Sequence, residues 1–122
     1  MCNCKKAWGS VRGKIKEENG TWERVDFLRW CEKKEKKCHY CGIPENNFIE
    51  IWGEFYGGRR GHRLEIERKD NNSNYIKGNC VLACAICNCA KTDKFTHKEF
   101  LKVGEVIRKI WEARARIQSK KR

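Results

Sequence analysis

Leu64 to Lys91 reads LEIERKDNNSNYIKGNCVLACAICNCAK. Leu64, Ile66 and Arg68 alternate with Glu65 and Glu67, a period-2 pattern that predicts a short strand. Asp70, Asn71, Asn72, Ser73 and Asn74 form a cluster of turn formers. Val81, Leu82 and Ala83 give a second short apolar run, and Cys84 and Cys87 follow, with Asn88 and Lys91 at helical spacing. The stretch therefore reads strand, turn, strand, helix, with a Cys-x-x-Cys opening the helix. A second Cys-x-x-Cys stands upstream at Cys38 and Cys41. Two such pairs supply the four thiolates that a tetrahedral structural zinc requires, and a two-residue gap lets both sulfurs of a pair face one ion.

Length and composition fit that reading. A chain of 122 residues is one domain, and with 39% apolar and 36% charged residues its core must be modest. A small core commonly needs a staple such as a metal. A structural zinc contributes roughly 10–16 kcal/mol of apparent binding energy in small zinc peptides, comparable to a domain's net stability. The formal net charge of +12 points to a polyanionic partner, nucleic acid first. No stretch approaches the ~18 apolar residues of a membrane span, and no apolar signal-peptide core stands at the N-terminus. Nine cysteines suit a secreted disulfide scaffold, but the odd count and the two Cys-x-x-Cys pairs favour metal thiolates in a reducing cytoplasm.

Upstream of the second Cys pair the reading is coarser. Residues 1–20 form a basic segment ahead of a domain spanning 21–118. Cys2 and Cys4 stand in a Cys-x-Cys; they either bind a second zinc with help from Cys31, Cys80 or Cys89, or are buried or free thiols. The basic run Val11 to Lys16 is expected to lie along phosphate or to be mobile. Thr21 is expected to cap a helix reaching Lys36, with Trp22, Val25, Leu28 and Cys31 as its packing stripe. In CHYCGIP, Gly42 supplies a conformation other residues resist and Pro44 stops regular hydrogen bonding, while His39 and Tyr40 sit between two ligands. Phe48, Ile49, Ile51 and Trp52 are expected to form a short helix or loop over the core.

Gly57 to Arg63, GGRRGHR, is a glycine-hinged basic loop just before the first central strand. Arg59, Arg60 and Arg63 suit approach to a phosphodiester, the alternative being a solvated basic turn. His62 stands close by in sequence. Beyond Lys91, Thr96 and Glu99 make a T-x-x-E capping box that predicts a helix over 96–117. Phe100, Val103, Ile107, Ile110 and Trp111 form its apolar stripe, serving the core or a dimer surface. Ser119 to Arg122 reads as a frayed basic end.

The ordered set Glu67-Arg68-Lys69-Asp70-Asn71, Tyr75, Asn79, then Cys84-x-x-Cys87-Asn88-x-x-Lys91, resembles the HNH endonucleases, over about Cys38 to Trp111. It is similar to the phage and bacterial members and to small rare-cutting type II restriction enzymes, whose C-terminal helix carries a rhythm echoed by Val103, Ile107 and Trp111. The resemblance implies an α+β fold: a small zinc-stapled domain with a ββα-metal core over about 62–92 and flanking helices. It implies a metal-dependent endonuclease acting on double-stranded DNA and leaving 5′-phosphate and 3′-hydroxyl ends.

Position by position, it implies that Cys38, Cys41, Cys84 and Cys87 hold a structural zinc. Glu67 and Asn88 would hold a catalytic Mg²⁺ or Mn²⁺, and Asn79 would bridge the loop ends to keep the strands in register. Arg68 stands where the commonest members carry a general-base histidine, and Glu67 replaces a more usual Asp. An arginine with a pKa above about 12 cannot serve as a base, but it can clamp the phosphate and stabilise transition-state charge. Water activation would then fall to Tyr40, His62 or His39, to the metal ion or to bulk water. Arg59, Arg60, Arg63 and Lys91 are the expected DNA contacts. A palindromic target would call for a homodimer. A zinc-stapled DNA-binding module without cleavage is the competing reading, and an RNA-directed or structural zinc protein a third.

Overall fold

The computed structural model describes residues 8–9, 13–17, 20–51, 63–70 and 77–120. From the N-terminus, Lys16–Glu17 (β1) and Gly20–Thr21 (β2) pair antiparallel, Lys16 opposite Thr21 and Glu17 opposite Gly20. Ile15 is fully buried and its carbonyl accepts the Trp22 N–H at 2.7 Å. This corrects the expected split: a boundary at residue 20 cuts β2 itself, and Trp8 and Ile15 belong to the same core as Phe27. The expected basic run along phosphate is, in its described part, a turn and strand anchored by Ile15.

The helix Arg24–Glu32 (α1) starts later and stops earlier than its sequence pattern predicts. Thr21 is engaged in the hairpin, so the cap falls to Glu23, whose carbonyl takes the N–H of Asp26 at 3.1 Å while the Asp26 carboxylate accepts the Glu23 N–H at 3.0 Å. Past Glu32 the Cys31 carbonyl accepts the Lys34 N–H and the Lys36 ammonium, which turns the chain out of the helix. The buried face is Phe27, Trp30 and Cys31. Val25 lies outside it, exposed, because i, i+3 and i+4 from Phe27 define a stripe that Val25 does not share. Trp8, Trp22, Phe27 and Trp30 make an aromatic layer with centroid distances of 5.4, 5.8 and 6.1 Å. A short 3₁₀ turn, Glu45–Asn47, leads to helical residues 48–51, where Phe48 and Ile51 are buried and Ile49 is exposed.

The central stretch folds as its alternation predicts. Glu65–Arg68 (β3) and Cys80–Ala83 (β4) pair antiparallel in the register Glu65–Ala83, Ile66–Leu82, Glu67–Val81, Arg68–Cys80. Ala85–Lys91 (α2) follows, with Cys84 as its N-cap. His97–Lys120 (α3) closes the chain behind the expected capping box: Glu99 accepts the Thr96 N–H at 2.8 Å and donates its own N–H to Thr96 Oγ1 at 3.2 Å. Phe100 is fully buried and Val103, Ile107 and Trp111 pack against the core, but Ile110 is exposed. Small size, helices and two short hairpins make this an α+β fold, and no described helix is long and apolar enough to cross a membrane.

Candidate active site and metal centre

The turn after Lys37 shapes the first half of the metal centre. Cys38 N–H bonds the Ile43 carbonyl at 3.1 Å and Gly42 N–H the Cys38 carbonyl at 2.9 Å, a closure that needs φ of +75° at Gly42. The second half is the start of α2. Backbone N–H groups aim at sulfur in both halves, Cys41 at Cys38 Sγ (3.5 Å) and Cys87 at Cys84 Sγ (3.3 Å). The four sulfurs of Cys38, Cys41, Cys84 and Cys87 lie within 4.8 Å of one another, all buried. Cys41 and Cys84 are 3.9 Å apart; a tetrahedron with Zn–S bonds of about 2.3 Å has edges of about 3.8 Å. The donor set thus fits one zinc. Its halves are also joined by the His39 N–H, which bonds the Leu82 carbonyl of β4 at 2.8 Å.

Beside this centre, Glu65 and Glu67 share one face of β3, and α2 packs on it. Asn88 donates through Nδ2 to Glu65 Oε1 at 2.8 Å. Its Oδ1, the atom able to ligate a hard cation, has no partner among the described residues. Glu67 is buried, and its Oε1 accepts the Arg68 N–H at 3.0 Å. Burial raises the Glu67 pKa and the neighbouring Glu65 adds to the rise, while Lys91 and Arg68 oppose it. A buried carboxylate with a second one beside it and an amide oxygen on the facing helix is a donor set suited to Mg²⁺ or Mn²⁺.

Asn79 closes the loop between the strands. Its Oδ1 accepts the Asp70 N–H and its Nδ2 donates to the Asp70 carbonyl, each at 3.0 Å, and the Lys69 N–H bonds the Asn79 carbonyl at 2.8 Å. Arg68 and Arg63 are half-buried. Arg59, Arg60, His62 and Tyr75 lie outside the described residues, as do Cys2, Cys4 and Trp52.

Two expectations change. Lys91 is not on the surface: it is 0% exposed and its ammonium donates to the Arg68 carbonyl at 3.2 Å. The 3.6-residue period that aligns it with Asn88 turns it inward under β3, out of reach of a DNA phosphate. Tyr40 is also buried, and burial, then the negative charges of Glu67, Cys38 and Cys87, push its phenol well above the ordinary range. Unaided, it stays protonated, which is the wrong state for a base.

Sequence reading passed over His97, Glu65 and Glu45. His97 Nδ1 lies 3.4 Å from the Tyr40 hydroxyl and its ring stacks on His39 at 5.0 Å. Burial, with Lys69 and Lys91, lowers its pKa. Glu45, buried, accepts the Leu64 N–H at 2.8 Å and so fixes the chain where it enters β3. Only Glu65 had a usable signal, its period-2 match to Glu67; the other two contacts join residues far apart in sequence.

No protein-family model and no curated protein matches the chain. Among solved structures, the rare-cutting HNH restriction endonuclease PacI, described as exhibiting an extraordinary mechanism of DNA perturbation, is similar at a TM-score of 0.71 and 30% identity, over 93% of this chain and 82% of that one.

Proposed function

Since this chain belongs to the HNH endonuclease family, we propose that it hydrolyses phosphodiester bonds of double-stranded DNA, in a cytoplasmic setting, leaving 5′-phosphate and 3′-hydroxyl ends. The likeness to an HNH restriction endonuclease, at 30% identity over nearly the whole chain, carries this conclusion. Cys38, Cys41, Cys84 and Cys87 would hold a zinc, and Glu67 with Asn88 a Mg²⁺ or Mn²⁺. When bound, that second ion relieves negative charge on the phosphate and on the leaving 3′-oxygen.

The chain's own groups do the rest. Glu65 holds the Asn88 amide by its Nδ2, which would leave Oδ1 to the ion. Arg68 would clamp the scissile phosphate with a permanent charge and several donors. Tyr40 and His97 form a phenol–imidazole pair through which the water's proton would leave, the neutral imidazole accepting at Nδ1. The charges of Cys38, Cys87 and Glu67 that oppose ionisation of Tyr40 would be offset once these residues hold their ions. Arg59, Arg60 and Arg63 would hold flanking phosphates. On a palindromic site a homodimer would cut both strands, and a monomer would nick.

Digestion of supercoiled plasmid with Mg²⁺ or Mn²⁺, followed by sequencing of the ends, tests this. Nicked or linear product with 5′-phosphates is expected from the wild type, and none from Glu67→Ala, which should still bind DNA. Binding without nicking in either metal would leave a zinc-stapled DNA-binding module. Full activity in Glu67→Ala would remove Glu67 from the site.

A further inference from the structure

We propose that Lys91 is a positioning residue that holds Arg68 in place from beneath β3. A fully buried ammonium loses its hydration at a cost of several kcal/mol, which a methionine of similar length would avoid. Its presence at 0% exposure therefore asks for a compensating partner. Its ammonium donates to the Arg68 carbonyl, 3.2 Å from Nζ. Arg68's other backbone group, its N–H, is held by Glu67 Oε1 at 3.0 Å. Both main-chain polar groups of Arg68 are thus pinned by buried charged side chains, one from α2 and one from its own strand. Arg68 ends the strand, where the next residue, Lys69, is already closed against Asn79. With the backbone fixed on all sides, the guanidinium starts from a constant origin. Lys91 thereby converts the rigidity of α2, itself anchored by Cys84 and Cys87, into the aim of a group on the neighbouring strand.

The assignment rests on the nuclease reading above. It differs from a DNA-contact role in what the variant should change. Lys91→Met keeps the aliphatic stem and removes the donor and the charge. We expect Lys91→Met to retain zinc and to bind a duplex carrying the mapped cleavage site, without added Mg²⁺, with unchanged affinity and salt slope. Its kcat should fall about a hundredfold with KM unchanged, the size of effect expected from misplacing a reacting group by about an ångström. Lys91→Arg, which restores donor and charge, should recover most of that loss. A salt slope shallower by about 0.9, with a raised KM, would make Lys91 a phosphate contact and overturn the proposal. So would a kcat equal to wild type. Should Lys91→Met lose its zinc, Lys91→Gln, which keeps an N–H for the carbonyl, is judged by the same criteria. Wild-type protein that cleaves nothing overturns the nuclease reading and this assignment together, whereas wild-type cleavage matched by Lys91→Met overturns this assignment alone.

Discussion

An amide buried at the mouth of a loop must find partners for both its oxygen and its nitrogen. Asn79 finds both on one residue, the N–H and the carbonyl of Asp70. Those bonds hold the chain where it leaves β3 against the chain where it enters β4, which sets the Arg68–Cys80 pairing. Asn79→Ala would strand two main-chain groups that are partly shielded from water. We expect it to lower unfolding free energy by about 1–3 kcal/mol, read from urea denaturation of the zinc-loaded protein. It should also cut activity, because Arg68 sits next to the frayed register. A loss under about 0.5 kcal/mol, the range of an ordinary surface substitution, would mean that the loop closes without the amide. Cys80, beside it, is buried, and that burial pushes its thiol up to about 11. Alkylation of Cys80 by iodoacetamide at pH 8 should therefore be slow in the folded protein and fast after denaturation, as peptide mapping would report. Equal rates would show that Cys80 is open to solvent.

Helix α3 crosses the zinc turn at Gly104, and the contact is as close as two backbones allow. A Cβ there would meet the Tyr40 carbonyl oxygen at 2.3 Å and its carbon at 2.4 Å. Alanine is the better helix former by about 1 kcal/mol, yet the obstacle is main chain and cannot swing aside. Gly104→Ala should accordingly destabilise the protein by about 1–3 kcal/mol through overpacking, seen as a lower Tm, and should displace Tyr40 from His97. A raised Tm would mean that the helix and the turn are not in contact. Nothing in the amphipathic pattern of the helix explains a glycine at 104; the crossing gives it a reason. The same holds for α1. Thr21 is the expected cap, and the shift of the start to Glu23 depends on a hairpin whose strands of two residues are too short to leave a periodicity. The ββα core was legible because its first strand alternates, its second is a short apolar run, its turn is rich in Asp and Asn, and its ligands recur at fixed spacing. The bond of the Leu64 N–H to Glu45 and the contact of His97 with Tyr40 were not, since groups 19 and 57 residues apart meet only once the chain is folded.

Across the whole molecule, the aromatic layer of Trp8, Trp22, Phe27 and Trp30 and the site on β3 and α2 lie on either side of the zinc turn in the sequence. The strands that link them are short, and paired strands of four residues are not stable on their own. The sulfur cluster joins residues 43 positions apart, Cys41 to Cys84, and so closes the long stretch of chain between them. Four thiols at this distance also repel the thiolate state in one another: Cys84 and Cys87 are pushed up by their neighbours while Cys38 is driven down. A dication removes that conflict and turns it into cohesion. Loss of the ion should therefore unfold the domain rather than slow the enzyme. Cys84→Ser should abolish the cooperative thermal transition and the near-ultraviolet signal of the packed tryptophans, with less than one zinc bound per chain. Cys89→Ser, at an exposed position on the same helix and outside the cluster, should keep both signals and shift stability by no more than about 0.5 kcal/mol. A Cys84→Ser protein that binds no zinc yet melts cooperatively would show that apolar packing alone holds α2 against β3, and would leave the position of Asn88 opposite Glu65 independent of the metal.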